Sequence, residues 1–151
     1  MNRQFNILKK SRLLTLKAIE NLTIDQINKI PEGFKNNVAW NIAHLVVTQQ
    51  LLCYKLSGLN CLVTDELINN FQKGSEPSFM VSEEEFEIIK KQFIDLPIKL
   101  EEDFEKGNFK NYNSYTTSVD VTLNDIKDAI SFNNYHEGIH LGVILQLKKF
   151  I

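Results

Sequence analysis

The sequence predicts an all-α protein built as a four-helix bundle. Three observations carry that expectation. Four long segments have apolar residues at helical spacing, strand-like alternation is almost absent, and no internal repeat or low-complexity tract interrupts them. At 151 residues the chain is expected to form one domain over 1–151, which buries roughly two-thirds of its unfolded surface without disulfides or structural metal.

FNILKKSRLLTLKAIENL reads as the first helix, with Phe5, Leu8, Arg12, Leu16 and Ile19 on one stripe and Ile7 and Leu14 widening it. Thr23 is placed to cap a short turn through DQINKI, which Pro31 and Gly33 end. The second long helix starts near Asn36 or Asn37 and runs through VAWNIAHLVVTQQLLCYKLSG, with Gly58 as the residue just past its end. A polar interval follows, holding a short helix in TDELINNF and a KGSEPS turn, so the connection between helices two and three is decorated rather than tight.

Ser82 with Glu85 forms a capping box for the third long helix. Pro97 kinks or divides that helix, and Gly107 ends it. GNFKNYNSYTTSVDV is aperiodic and reads as a loop with a short extended piece, suited to a pocket lid or a dimer contact. Thr122 with Asp125 marks the start of a fourth helix over about 123–149.

Totals exclude several classes of function. The net charge is -2, from 17 basic and 19 acidic residues with no long block of either sign, so no general field for nucleic acid or anionic lipid exists. No segment approaches the roughly 18 apolar residues of a membrane span. MNRQFNILKK leads into no signal-peptide core, and Cys53 and Cys61 do not form a CxxC pair. A cytoplasmic location with reduced thiols is the expectation. Cys53 lies nine positions after His44, on the opposite helical phase, and reads as a small buried hydrophobe. Nothing near Cys61 lowers its pKa.

The chemistry-bearing pattern is YHEGIHLGVIL. His136 and His140 are one helical turn apart, on the stripe Ile126, Ala129, Asn133, His136, His140, Val143 and Leu147. His44, the only other histidine, shares an inward face with Trp40, Val47 and Leu51. Two buried imidazolium rings would repel, so neutral hydrogen-bonded rings or metal-bound rings are the two consistent states. Three imidazoles from two helices suit zinc with one open position, and nickel, iron or cobalt are chemically admissible.

HEGIH also satisfies HExxH literally, with Glu137 as the base of a zinc peptidase. The chain ends eleven residues after His140, leaving little room for a downstream ligand, and a helical bundle offers no cleft for an extended peptide. Glu137 is better placed as a pocket-edge carboxylate that handles a proton, or as a solvated helix residue. Trp40 walls a pocket or packs the core. Asn41 and Asn133 are candidates for orienting a histidine or a bound water.

With Trp-x-x-x-His at Trp40 and His44, and His-x-x-x-His followed by glycine at His136, His140 and Gly142, the chain resembles the DinB-like superfamily along essentially its whole length. That superfamily includes YfiT-like metal-dependent hydrolases and bacterial thiol transferases. The resemblance implies a bundle with an unusual connection order and often a homodimer. It also implies one divalent metal ion per chain on His44, His136 and His140, zinc or nickel foremost. The implied activities are thiol transfer, with a low-molecular-weight thiol as cosubstrate, or hydrolysis of a small molecule. A noncatalytic metal-binding or stress-associated dimer is the alternative.

Overall fold

A computed structural model describes residues 1–151, and most of its helices begin where a short polar side chain accepts their free N–H groups. α1 (Asn2–Ile19) is the exception, having no side-chain cap. Thr23 and Gln26 close a reciprocal capping box on α2 (Ile24–Asn28). Asn37 Oδ1 accepts from Trp40 N at 2.8 Å to start α3 (Val38–Gln49). Thr64 caps α4 (Asp65–Phe71), and Ser82 with Glu85 forms the expected box on α5 (Glu83–Glu105).

α6 (Ile126–Leu147) starts later than expected, and from a different residue. Asp125, rather than Thr122, accepts from Lys127 N and Asp128 N. Thr122 instead belongs to β2 (Thr122–Leu123), which pairs antiparallel with β1 (Tyr115–Thr116), and its hydroxyl meets Thr116 Oγ1 at 2.9 Å. A carboxylate serving two N–H groups is the stronger cap, and the hairpin takes the threonine.

The apolar stripe of α1 is narrower than the sequence suggested. Phe5, Leu8, Arg12 and Ile19 are buried, but Ile7 and Leu14 are exposed. At 100° per residue Ile7 and Leu14 lie about 140° and about 160° from Arg12, so both sit on the face opposite the stripe.

Pro97 does not divide α5, which runs unbroken from Glu83 to Glu105. A proline has no N–H for the carbonyl four residues back, here Phe93 O. Arg12 Nη1 donates to that carbonyl at 2.9 Å, so the buried acceptor is satisfied from another helix. The end of α3 widens into a π-helical turn at Gln50–Tyr54 and tightens again at Lys55–Ser57. Gly58, at φ 73°, closes it in the left-handed conformation that glycine adopts without strain.

The arrangement is a four-helix bundle in which the first two long helices of the chain are not neighbours, and neither are the last two. α1 packs on α5 and α6, and α3 packs on the same two. α1 and α3 therefore face each other across a diagonal, as do α5 and α6. The connection from α3 to α5 carries α4, which packs on α3. The loop after α5 is tied down by Tyr112, whose hydroxyl donates to Leu52 O at 3.1 Å, and by Phe109 against Tyr54. No helix is long and apolar enough to cross a membrane.

Candidate metal centre

α3 and α6 bring the three histidines together. His44 lies one turn after Trp40 on α3, while His136 and His140 lie one turn apart on the facing side of α6. The ring centroids are 5.2 Å apart for His44 and His136, 4.9 Å for His44 and His140, and 4.5 Å for His136 and His140. One ring nitrogen from each lies within 4.8 Å of the others.

Hydrogen bonds decide which nitrogens are free. His44 Nδ1 is 2.6 Å from Phe71 O, and a carbonyl only accepts, so Nδ1 carries the proton and Nε2 keeps its lone pair. Thr48 Oγ1, 3.2 Å away, donates to that lone pair. His140 Nδ1 is 2.7 Å from Asn41 Oδ1. The amide of Asn41 cannot be turned round, because its Nδ2 donates to Asn37 O at 2.7 Å and to Asn36 Oδ1 at 2.9 Å. His140 therefore also presents a bare Nε2.

His136 Nε2 approaches His140 Nε2 at 3.1 Å, and His136 Nδ1 is buried without a partner in the protein. Two imidazoles on one ion, with bonds of about 2.0–2.1 Å and tetrahedral angles, sit about 3.3 Å apart. The donor set thus fits a divalent ion. Two rings are fixed in the ligating tautomer by acceptors behind them, and the Nε2 of the third lies at ligand spacing from His140 Nε2.

All three rings are neutral at physiological pH. Burial lowers the His140 pKa to about 3, helped by the neighbouring His136 and His44. Burial, with His44 beside it, takes His136 to about 4. His44 is lowered by burial, partly offset by its bond to Phe71 O. Neutral imidazole is the form a metal takes.

The rings line a cleft of about 550 Å³, within the usual range for small-molecule sites. Trp40 stacks on His44 at 4.5 Å and 10°, and its Nε1 donates to Ser75 Oγ at 3.1 Å. Leu51, Leu56 and Phe132 supply apolar wall, Tyr115, Thr117 and Ser118 supply hydroxyls from the hairpin, and Lys55 and Lys73 supply charge. No carboxylate lines the cleft, and neither lysine is in an ion pair. In a chain of net charge -2, that is a local reversal of sign.

Other candidates from the sequence fall elsewhere. Glu137 is not a solvated helix residue and does not line the cleft. It is 2% exposed, and its Oε1 accepts from Arg12 Nη2 at 2.6 Å and Nε at 3.0 Å. One residue along the helix is about 100° of rotation, enough to take its carboxylate off the histidine face. Asn133 is fully buried with it, its Nδ2 3.4 Å from Glu137 Oε1. Of the three flanking residues, Trp40 stacks on His44 and Asn41 bonds His140, whereas Asn133 makes no hydrogen bond to a ring. Cys53 is buried, its pKa pushed up to about 12 by that burial, and lies outside the cluster. Cys61 donates to Gln50 O and its thiol is raised by burial, so nothing activates it.

Sequence reasoning missed Thr48, Lys55, Lys73 and the Phe71 carbonyl. Thr48 is four residues after His44 and was legible in principle. The lysines and the carbonyl arrive from separate segments and leave no local sign. Among known families, the chain matches the model of the DinB superfamily over residues 7–144, a span that contains all three histidines, Trp40 and Asn41. No curated protein matches the chain.

Proposed function

This chain belongs to the DinB superfamily, and from that premise we propose that it is a divalent-metal protein acting on a small anionic molecule. The observation that carries the metal is the set of three ring nitrogens within 4.8 Å, two of them held in the ligating tautomer. His44, His136 and His140 hold the ion, with zinc or nickel as the leading candidates. Such an ion supplies Lewis acidity, favouring the deprotonated form of a thiol or water that reacts in the cleft.

The remaining residues bind and orient. Trp40 fixes the plane of His44 by stacking and Asn41 fixes His140. Lys55 and Lys73 draw in an anionic group while Leu51, Leu56 and Phe132 cover an apolar body. Tyr115, Thr117 and Ser118 close one side of the cleft. Thr48 Oγ1 is the nearest hydroxyl to a ring nitrogen and is placed to hold a proton at the site. Glu137 has no proton role in this scheme, because its carboxylate is engaged by Arg12.

Transfer of a low-molecular-weight thiol to an electrophile, or hydrolysis, is the reaction class. The open cleft beside the rings favours either over a purely structural metal site. Ile7 and Leu14, exposed on α1, leave apolar surface for the homodimer we also propose.

The test is elemental analysis of untagged protein beside His44→Ala, His136→Ala and His140→Ala, followed by a screen of anionic thiols against electrophiles. Near one ion per chain, lost in each variant, is expected. Turnover is expected to weaken several-fold in Lys55→Ala/Lys73→Ala. Absence of any bound divalent metal after reconstitution withdraws the assignment.

A further inference from the structure

Arg12 is the least expected residue of the core. It is 0% exposed, and its guanidinium reaches three other helices. Nη1 donates to Phe93 O on α5 at 2.9 Å, Nη2 to Leu45 O on α3 at 3.2 Å, and Nε and Nη2 to Glu137 Oε1 on α6 at 3.0 and 2.6 Å. The cation also lies 4.5 Å from the centre of the Phe93 ring.

A buried ion pair is weak ground for stability, since apolar residues of similar volume often serve as well. The positions contacted point to a different role. Leu45 follows His44 in the chain, and Glu137 follows His136. A single nitrogen, Nη2, bridges the two histidine-bearing helices at residues next to their ring-bearing ones. The third anchor, Phe93 O, is the carbonyl that Pro97 cannot bond, so α5 offers it to the arginine.

We propose that Arg12 is a positioning residue that sets the register of α3 against α6 and thereby the spacing of His44 from His136 and His140. The inference rests on the reading that the three rings hold a divalent ion. A guanidinium has its donors in a rigid planar fork, so a slide of one helix by an ångström breaks at least one of its bonds. Lysine keeps the charge but offers no fixed fork.

The experiment is a titration of metal-free protein with zinc against a competing chelator. It compares the natural chain with Arg12→Lys, with Arg12→Met/Glu137→Leu, which leaves no unpaired charge, and with Leu8→Ala. Leu8 is fully buried one turn before Arg12 and takes no part in the hydrogen bonds of the network, so its variant reports what general destabilisation does. Circular dichroism establishes that each variant is folded.

Arg12→Lys and the double variant are expected to keep one ion per chain and to bind it about 10–100-fold more weakly, with altered cobalt absorption bands. Leu8→Ala is expected to keep the natural affinity. Natural affinity in the folded Arg12 variants overturns the positioning role, as does an equal loss in Leu8→Ala. Should the double variant not fold, Arg12→Lys decides alone. A natural chain that binds no metal sinks the site itself and the positioning role with it.

Discussion

His140 donates through Nδ1 to Asn41 Oδ1, and Asn41 is in turn fixed by Asn37 O and Asn36. Removing the acceptor in Asn41→Leu leaves a half-buried N–H without its protein partner and lets the ring turn. The expected result is a folded protein whose zinc affinity falls about 10–100-fold. The low-field imidazole N–H signal assigned to this bond should also disappear from the proton spectrum of metal-free protein. Unchanged affinity would mean that the ring is held by packing alone. At this scale the clustering of the three histidines was legible, because all three fall on inward faces of two helices. Asn41 was legible as a polar residue one position past Trp40 on a buried face. The acceptor for His44 was not, since a backbone carbonyl of Phe71 has no side-chain signature.

The helices were legible where capping chemistry is local. Thr23, Asn37 and Ser82 each act within three or four residues of themselves. Thr122 misled because its hairpin partner Thr116 lies outside such a window. Pro97 is the more informative case, since its effect depends on a residue 85 positions away, the difference between 97 and 12. With Arg12 bonded to Phe93 O, the carbonyl that proline leaves free is satisfied and α5 continues. A double-mutant cycle follows from that geometry. Arg12→Met in the natural chain strands a buried carbonyl. In a Pro97→Ala background the same carbonyl has an N–H of its own. The loss of Glu137's partner is common to both arms and cancels. Arg12→Met should therefore cost about 1 kcal/mol less in the Pro97→Ala background, read from urea unfolding. Strict additivity would show that Arg12 does not replace the missing helical bond.

On the scale of the molecule, apolar stripes reveal which face of a helix is buried but not against which partner. Four stripes were therefore enough for a bundle and not for the diagonal placement of α1 and α3; the connection order came from family resemblance. Ile7 and Leu14 are a different case, since their phase on α1, opposite Arg12, already turns them away from the helices it packs on. Packing α3 directly on α6 is also what brings one buried and two half-buried imidazoles together, and this gives the whole fold a pH dependence. His136 and His140 titrate near 4 and 3 when folded and His44 is also lowered, against an ordinary value of 6.5. Between 6.5 and about 4 the unfolded chain binds more protons than the folded one, so stability is full above 6.5 and falls as the pH drops. Each such proton contributes about 1.4 kcal/mol per pH unit. Glu137, raised by burial and pulled back by Arg12, works the other way, but it is one carboxyl against three rings. Glu85 and Asp103, both lowered, add to the acid loss only near and below their ordinary values. Urea unfolding of chelator-treated protein from pH 7 to 4.5 should show stability declining with acid, less steeply in His140→Gln, which has one fewer ring to protonate. A flat profile, or an equal slope in the variant, would mean that water reaches the rings freely and that the cleft does not keep them neutral.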